Sequence, residues 1–123
     1  MKHNIRYSKD VLWLKPFIEE VLFNIPFKKI KAIKGYKVRK GHEPLQYGST
    51  VRKNALYTIN ILTHTNGDIK ERISVILDTL AHELSHIKNW EHDYKHFQLQ
   101  ALLLYRFSVI IKRLGIKDTS ARF

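Results

Sequence analysis

Not one cysteine occurs in the 123 residues. Disulfides, thiolate metal sites and a thiol nucleophile are therefore excluded, and the composition suits a reducing compartment. Long apolar runs are missing as well. The most apolar stretch, Leu99 to Ile111, is broken by Gln100, Arg106 and Ser108, too short and too polar to span a bilayer. Met1 to Asp10 is polar and leads into no small-residue cleavage site, so no signal peptide is read and a cytoplasmic location is expected. Repeats, low-complexity segments and linkers are also absent, which leaves residues 1–123 as a single domain with one core. Acid is the scarce charge: eleven Asp and Glu stand against 22 Lys and Arg, for a formal net charge of +11. Lys28, Lys29, Lys31, Lys34, Lys37, Arg39 and Lys40 share one segment that holds no acid at all. Such a stripe favours polyanions, and nucleic acid is the expected partner.

What the chain does have is His82-Glu83-Leu84-Ser85-His86, followed by Asn89 and His92. On a helix, residues four apart lie on one face, so His82 and His86 can present two imidazoles to one zinc ion. Glu83 stands beside the first ligand, within reach of a metal-bound water without itself ligating. Seven histidines and six glutamates would produce this five-residue pattern in roughly two of a hundred shuffled chains. Requiring a histidine at position 92 as well lowers the figure to roughly one in a thousand. A straight helix would carry His92 away from the metal. A bend at Asn89, a residue type tolerant of the left-handed conformation, would return it as third ligand, with His96 as the rival.

The remaining elements follow from patterning. Ser8 to Phe23 reads as a helix capped by Ser8, with Pro16 in its first turns and Asn24 and Pro26 ending it. Phe27 to Arg39 alternates, apolar inward and lysines outward, as strands with Gly35 at a turn or bulge. Leu45 to Arg52 and Leu56 to Leu62 read as two more strands joined near Lys53 and Asn54. The motif helix is expected from about Ile69 to Lys88, capped by Thr65, Asn66 or Asp68. A last helix is expected from Asp93 to Leu114, with Gly115 as its C-cap. The fold class is α+β: an N-terminal helix, a small three- to four-stranded, mainly antiparallel sheet, the motif helix and a C-terminal helix.

Over Tyr47 to Leu103 these pieces resemble the small SprT-like and YgjP-like zinc metallopeptidases. The resemblance rests on Tyr47-Gly48-Ser49-Thr50, the strand Leu56 to Ile61, the motif from His82 to His86, the third histidine His92, and Phe97. One departure is that Phe97 lies a residue further from His92 than the family pattern, with His96 in the gap. The chain also lacks the C-terminal extensions of larger members. The resemblance implies a zincin-like peptidase, in some members one acting on DNA-bound proteins.

Together these readings give a zinc peptidase in which His82, His86 and His92 hold the metal and Glu83 is the general base. Tyr94 and His96 are candidate oxyanion donors, and Asp78, one turn before His82, is a candidate partner for a ligand's second ring nitrogen. The strand from Tyr57 to Ile61 is a candidate edge for an extended peptide or protein substrate. His3, His42 and His64 are expected at the surface, and Trp13 and Trp90 in packing. The competing reading is a basic nucleic-acid-binding module whose zinc, closed by His96, is structural. A metal hydrolase of non-peptide substrate shares the same motif.

Overall fold

The computed structural model describes residues 5–21, 29–44 and 46–116. His3, the expected helix end at Asn24 and Pro26, Phe27, Lys28, Leu45 and the tail beyond Ile116 lie outside them. The chain builds β1 (Arg6–Tyr7), a 3-10 segment (Lys9–Leu14), α1 (Lys15–Val21), β2 (Ile30–Lys37), β3 (Gly48–Lys53), β4 (Leu56–Thr65), β5 (Ile69–Lys70), α2 (Ile73–Lys88) and α3 (Tyr94–Leu114).

The class is α+β as expected, but the five-stranded sheet is mixed instead of mainly antiparallel. Its order is β1-β2-β4-β3, with β5 also on β4; β2 runs parallel to both β1 and β4, while β3 and β5 are antiparallel to β4. The β3–β4 hairpin sets this arrangement: β4 takes the inner place beside β2 and β3 is left on the edge. Asn54 and Ala55, φ 53° and 62°, turn that hairpin between the paired Lys53 and Leu56. Two consecutive left-handed residues match the twist of the flanking strands.

Phe27 to Arg39 therefore contributes one described strand, not a strand pair. Gly35 lies inside it and does not turn the chain: a Cβ there would sit 2.8 Å from Thr63 Cγ2. Bulges between Ile30 and Ala32 and between Tyr36 and Lys37 break the simple alternation; the first lets Ile30 and Ile33, opposite Tyr57 and Ile59, share the core face although they are three residues apart.

Two helix starts differ from the sequence pattern. The first helical stretch opens as 3-10 and becomes α only at Lys15. Proline at position 16 lacks the N–H that would bond back to Leu12. The Ser8 hydroxyl accepts from Gly35 N–H at 2.9 Å and does not cap the helix. The motif helix begins at Ile73, four residues later than expected, with Arg72 at its N-cap. Ile69 and Lys70 pair with Thr65 and His64 around a turn that holds Asn66 and Gly67 at φ 45° and 87°. Residues that looked like caps thus close a hairpin.

Ile73, Ile76, Leu77, Leu80, Ala81, Leu84 and Ile87 line the buried side of α2 at helical spacing and join Ile33, Ile59 and Ile61 of the sheet in one core. Phe17 of α1 meets Phe107 of α3 edge-on at 5.7 Å. The α3 ends fall where the sequence puts them. The Asp93 carboxylate accepts from His96 N–H at 3.0 Å, and Gly115 is left-handed (φ 66°, ψ 28°). No described helix is long and apolar enough to cross a membrane.

Candidate metal centre

The last two turns of α2, the segment that follows it and the first turn of α3 bring together four histidines: His82 and His86, His92, and His96. One ring nitrogen from each of His82, His86, His92 and His96 falls within a 4.8 Å cluster. His82 Nε2 is 3.2 Å from His86 Nε2 and 3.1 Å from His92 Nε2. Zinc–nitrogen bonds of about 2.0–2.1 Å in a tetrahedron put ligand nitrogens about 3.3 Å apart. The return of His92 is made by an extended Asn89 (φ −132°, ψ 94°), not by the left-handed bend expected there. The helix does stop at Lys88, with Asn89 N–H bonding to the Ser85 carbonyl.

The outer nitrogens decide what these rings can bind. His86 Nδ1 is 2.7 Å from the Trp90 carbonyl, to which it can only donate. His82 Nδ1 is 3.0 Å from Gln100 Oε1, also an acceptor. With both Nδ1 atoms protonated, the neutral rings point two bare Nε2 lone pairs at one spot, a repulsive arrangement that a cation relieves. Burial pushes the His86 imidazole below its ordinary value, against the opposing pull of the Trp90 carbonyl and Glu83, and so favours the neutral, ligating form. The residues present therefore fit a metal ion such as zinc.

His96 differs from the other three. It is fully buried, its Nε2 donates to the His82 main-chain carbonyl at 3.1 Å, and its Nδ1 is buried without a partner. Burial lowers its pKa also. Its ring packs 4.3 Å from that of His86, whereas His92 is exposed and stacks on His82.

Glu83 is 6% exposed, and Thr50 Oγ1 on β3 donates to its Oε1 at 2.8 Å. Gly48 explains how β3 comes so near. A Cβ at that position would meet Thr79 Cγ2 at 2.4 Å and Glu83 Cγ at 3.3 Å, so only glycine lets the strand lie against α2. A cleft of about 680 Å³ opens beside the histidines, walled on one side by Gln46, Tyr47 and Ser49 and on the other by Trp90 and Glu91.

Other sequence candidates fall in different places. Tyr94 is 75% exposed, and neither it nor His96 lines the cleft. Asp78 does line it, but the second nitrogens of His82 and His86 are met by Gln100 and the Trp90 carbonyl. The Tyr57 strand is interior, as β4; the edge along the cleft is β3. Lys29, Lys31, Lys34, Lys37, Arg39 and Lys40 are all exposed. His42 is exposed as expected, but His64 is buried, its Nδ1 2.8 Å from Thr63 Oγ1. Trp13 packs edge-on against Phe17, and Trp90 packs against Tyr57 while remaining half exposed. Sequence reasoning missed Thr50 as a neighbour of Glu83 and Gln100 as a neighbour of His82. The one signal for Gln100 is a polar side chain inside the apolar run, one helical turn after His96.

No protein-family model and no curated protein matches the chain. Solved structures do. The chain is similar to the crystal structure of Wss1 from Saccharomyces cerevisiae, with a TM-score of 0.63 at 18% identity over 94% of this chain and 98% of that one. It is also similar to a Wss1 variant from S. pombe, with a TM-score of 0.50 at 16% identity over 85% and 95% of the two chains. At these identities what is shared is the fold.

Proposed function

We propose that this protein is a zinc-dependent peptidase of SprT-like type. The observation that carries the reading is the convergence of the Nε2 atoms of His82 and His86, 3.2 Å apart, with that of His92 at 3.1 Å, next to a carboxylate that opens on a cleft. His82, His86 and His92 would hold the metal, and His96 would brace the cluster through the His82 carbonyl. Zinc bound there lowers the pKa of a water to about 7 and polarises a carbonyl. Glu83 would take the proton of the attacking water and pass it to the leaving amine. An extended peptide would pair with the outer edge of β3, whose residues 48–50 border the cleft, and so lie across the metal.

The alternative of a catalytically silent metal is weakened by the same geometry. A structural zinc site is closed on all sides and has no use for a base beside it. The exposed stripe of Lys29, Lys31, Lys34, Lys37, Arg39 and Lys40 supports a second element of the proposal: nucleic acid as a partner that brings the enzyme to its protein substrates.

The test pairs metal content with turnover of a general protein substrate such as casein. The wild-type chain should carry about one zinc and cleave, and Glu83→Gln should keep the zinc and the fold but lose cleavage, since an amide cannot take the proton. A metal-free but folded wild-type protein after zinc loading, or an active Glu83→Gln variant, would sink the reading.

A further inference from the structure

Glu83 has three rotatable side-chain bonds, and a base is useful only when its oxygen stays in line with the attacking water. Two neighbours remove most of that freedom. The side chain passes Gly48 so closely that an added methyl there would lie 3.3 Å from Glu83 Cγ. Its Oε1 accepts from Thr50 Oγ1 at 2.8 Å, whereas Oε2 accepts no hydrogen bond from the described residues. Thr50 is itself well fixed. It sits mid-strand opposite Ile59, and its branched side chain is stiff about the first bond. The hydroxyl also lies 3.3 Å from the Glu83 main-chain oxygen, so it bridges strand to helix at the motif itself.

We propose that Thr50 is the positioning residue for the general base, and that β3 thereby serves as one frame for both reacting partners. This rests on the peptidase reading above. A peptide paired with the outer edge of β3 and a carboxylate held by a β3 side chain keep a constant separation even if α2 shifts against the sheet. Thr50 borders the cleft, but its hydroxyl is taken up by Glu83 and acts through it, fixing Oε1 and leaving Oε2 to face the water.

The experiment compares zinc-loaded full-length wild type with Thr50→Val, which keeps the branched shape without the hydroxyl, and Thr50→Ser, which keeps the hydroxyl without the methyl. Casein or peptide turnover is measured with zinc content and thermal midpoint. Thr50→Val should lose about ten- to a hundredfold in kcat with KM and zinc stoichiometry unchanged, and Thr50→Ser should recover most of that loss. Thr50→Val turnover within about twofold of wild type overturns the proposal. So does a Ser variant as slow as the Val variant, or a loss that follows zinc content, since each would make the role one of packing. A wild-type chain that binds zinc and cleaves nothing removes the peptidase reading and this proposal together. An active wild type with an unaffected Thr50→Val removes the positioning role alone.

Discussion

Each histidine of the cluster answers to a different force, so the substitutions should separate. The Nε2 atoms of His82 and His86 lie 3.2 Å apart at the proposed metal position, and either residue changed to Ala should abolish tight zinc binding. His92 contributes a nitrogen 3.1 Å from that of His82 yet is exposed, so His92→Ala should weaken zinc strongly while leaving the core intact. His96→Ala inverts the pattern: it removes a fully buried ring and a bond to the His82 carbonyl, so it costs stability first and affinity much less. Gln100→Ala frees the outer nitrogen of His82, and partners of that kind are worth about 10–100-fold in metal affinity. A zinc-chelator competition read beside thermal midpoints ranks the variants. If His96→Ala loses more affinity than His92→Ala, the ligand assignment is reversed. Of this group, His82, Glu83 and His86 are legible in the sequence through helical spacing, and His92 through a break expected at Asn89, which the structure makes with an extended residue instead of a left-handed one. Thr50 is 33 positions from Glu83 and Gln100 18 from His82. No local period links such pairs, because sheet order and helix packing bring them together.

Among the elements, the two hairpins mark where local pattern and tertiary structure part. Asn66, Asp68 and Thr65 have the composition of a helix cap, but the same residue types close tight turns, and pairing of Ile69–Lys70 with β4 decides between the uses. The turn of the β3–β4 hairpin is legible to within a residue, although β3 starts and β4 ends three residues later than the pattern suggests, and that turn holds Ala55 at φ 62°. Ala55→Gly should relieve that left-handed alanine and raise stability by about 0.5–1 kcal/mol, offset in part by the extra freedom of glycine in the unfolded chain. Urea unfolding midpoints check it, and a lower midpoint for the glycine variant would contradict the turn assignment. Strand β4 carries a second testable feature in His64, expected at the surface and found buried. Burial above all, with Lys37 and Lys70 adding to it and Asp10 and Asp68 opposing, holds its pKa below the ordinary 6.5. The unfolded chain then takes up a proton at a higher pH than the folded one does. The stabilising contribution is full above about pH 6.5 and drains away as pH falls toward the lowered folded value. His64→Gln should therefore flatten part of the acid-side decline in thermal midpoint relative to wild type between pH 7 and pH 5, with both proteins metal-free so that zinc release adds no step and the cluster histidines contribute equally to each. An unchanged slope would mean that His64 titrates as it does in water.

For the molecule as a whole, the basic side chains stay out of the histidine cleft. No described Lys or Arg lines the cleft, whose walls instead include Asp78, Glu83 and Glu91. A polyanion would find none of these cations at the metal, so nucleic acid would have to dock elsewhere. The exposed lysines of β2 lie two strands from the β3 edge, roughly 10 Å at the usual strand spacing. The alternating sequence pattern suggests a strand pair bearing them in one stripe. A single bulged strand carries Lys31, Lys34 and Lys37, and the loop beyond it carries Arg39 and Lys40, each of them exposed. Each phosphate neutralised releases counterions, and binding to mixed-sequence DNA should weaken linearly on a log–log plot against salt. Changing Lys31, Lys34, Lys37 and Lys40 together to Gln should reduce that slope by up to about 3–4, since every phosphate left unneutralised removes about 0.9. These side chains are exposed and take no part in the core, so thermal midpoint and zinc content should hold. Absence of binding by the natural chain at low salt would end the idea of a nucleic-acid partner while leaving the peptidase untouched. Binding that keeps its slope after the four substitutions would move the interface to the other basic residues. Because cleft and stripe are separate, a DNA-bound enzyme should still cleave casein at its free rate; strong inhibition by short DNA would show instead that polyanions reach the metal.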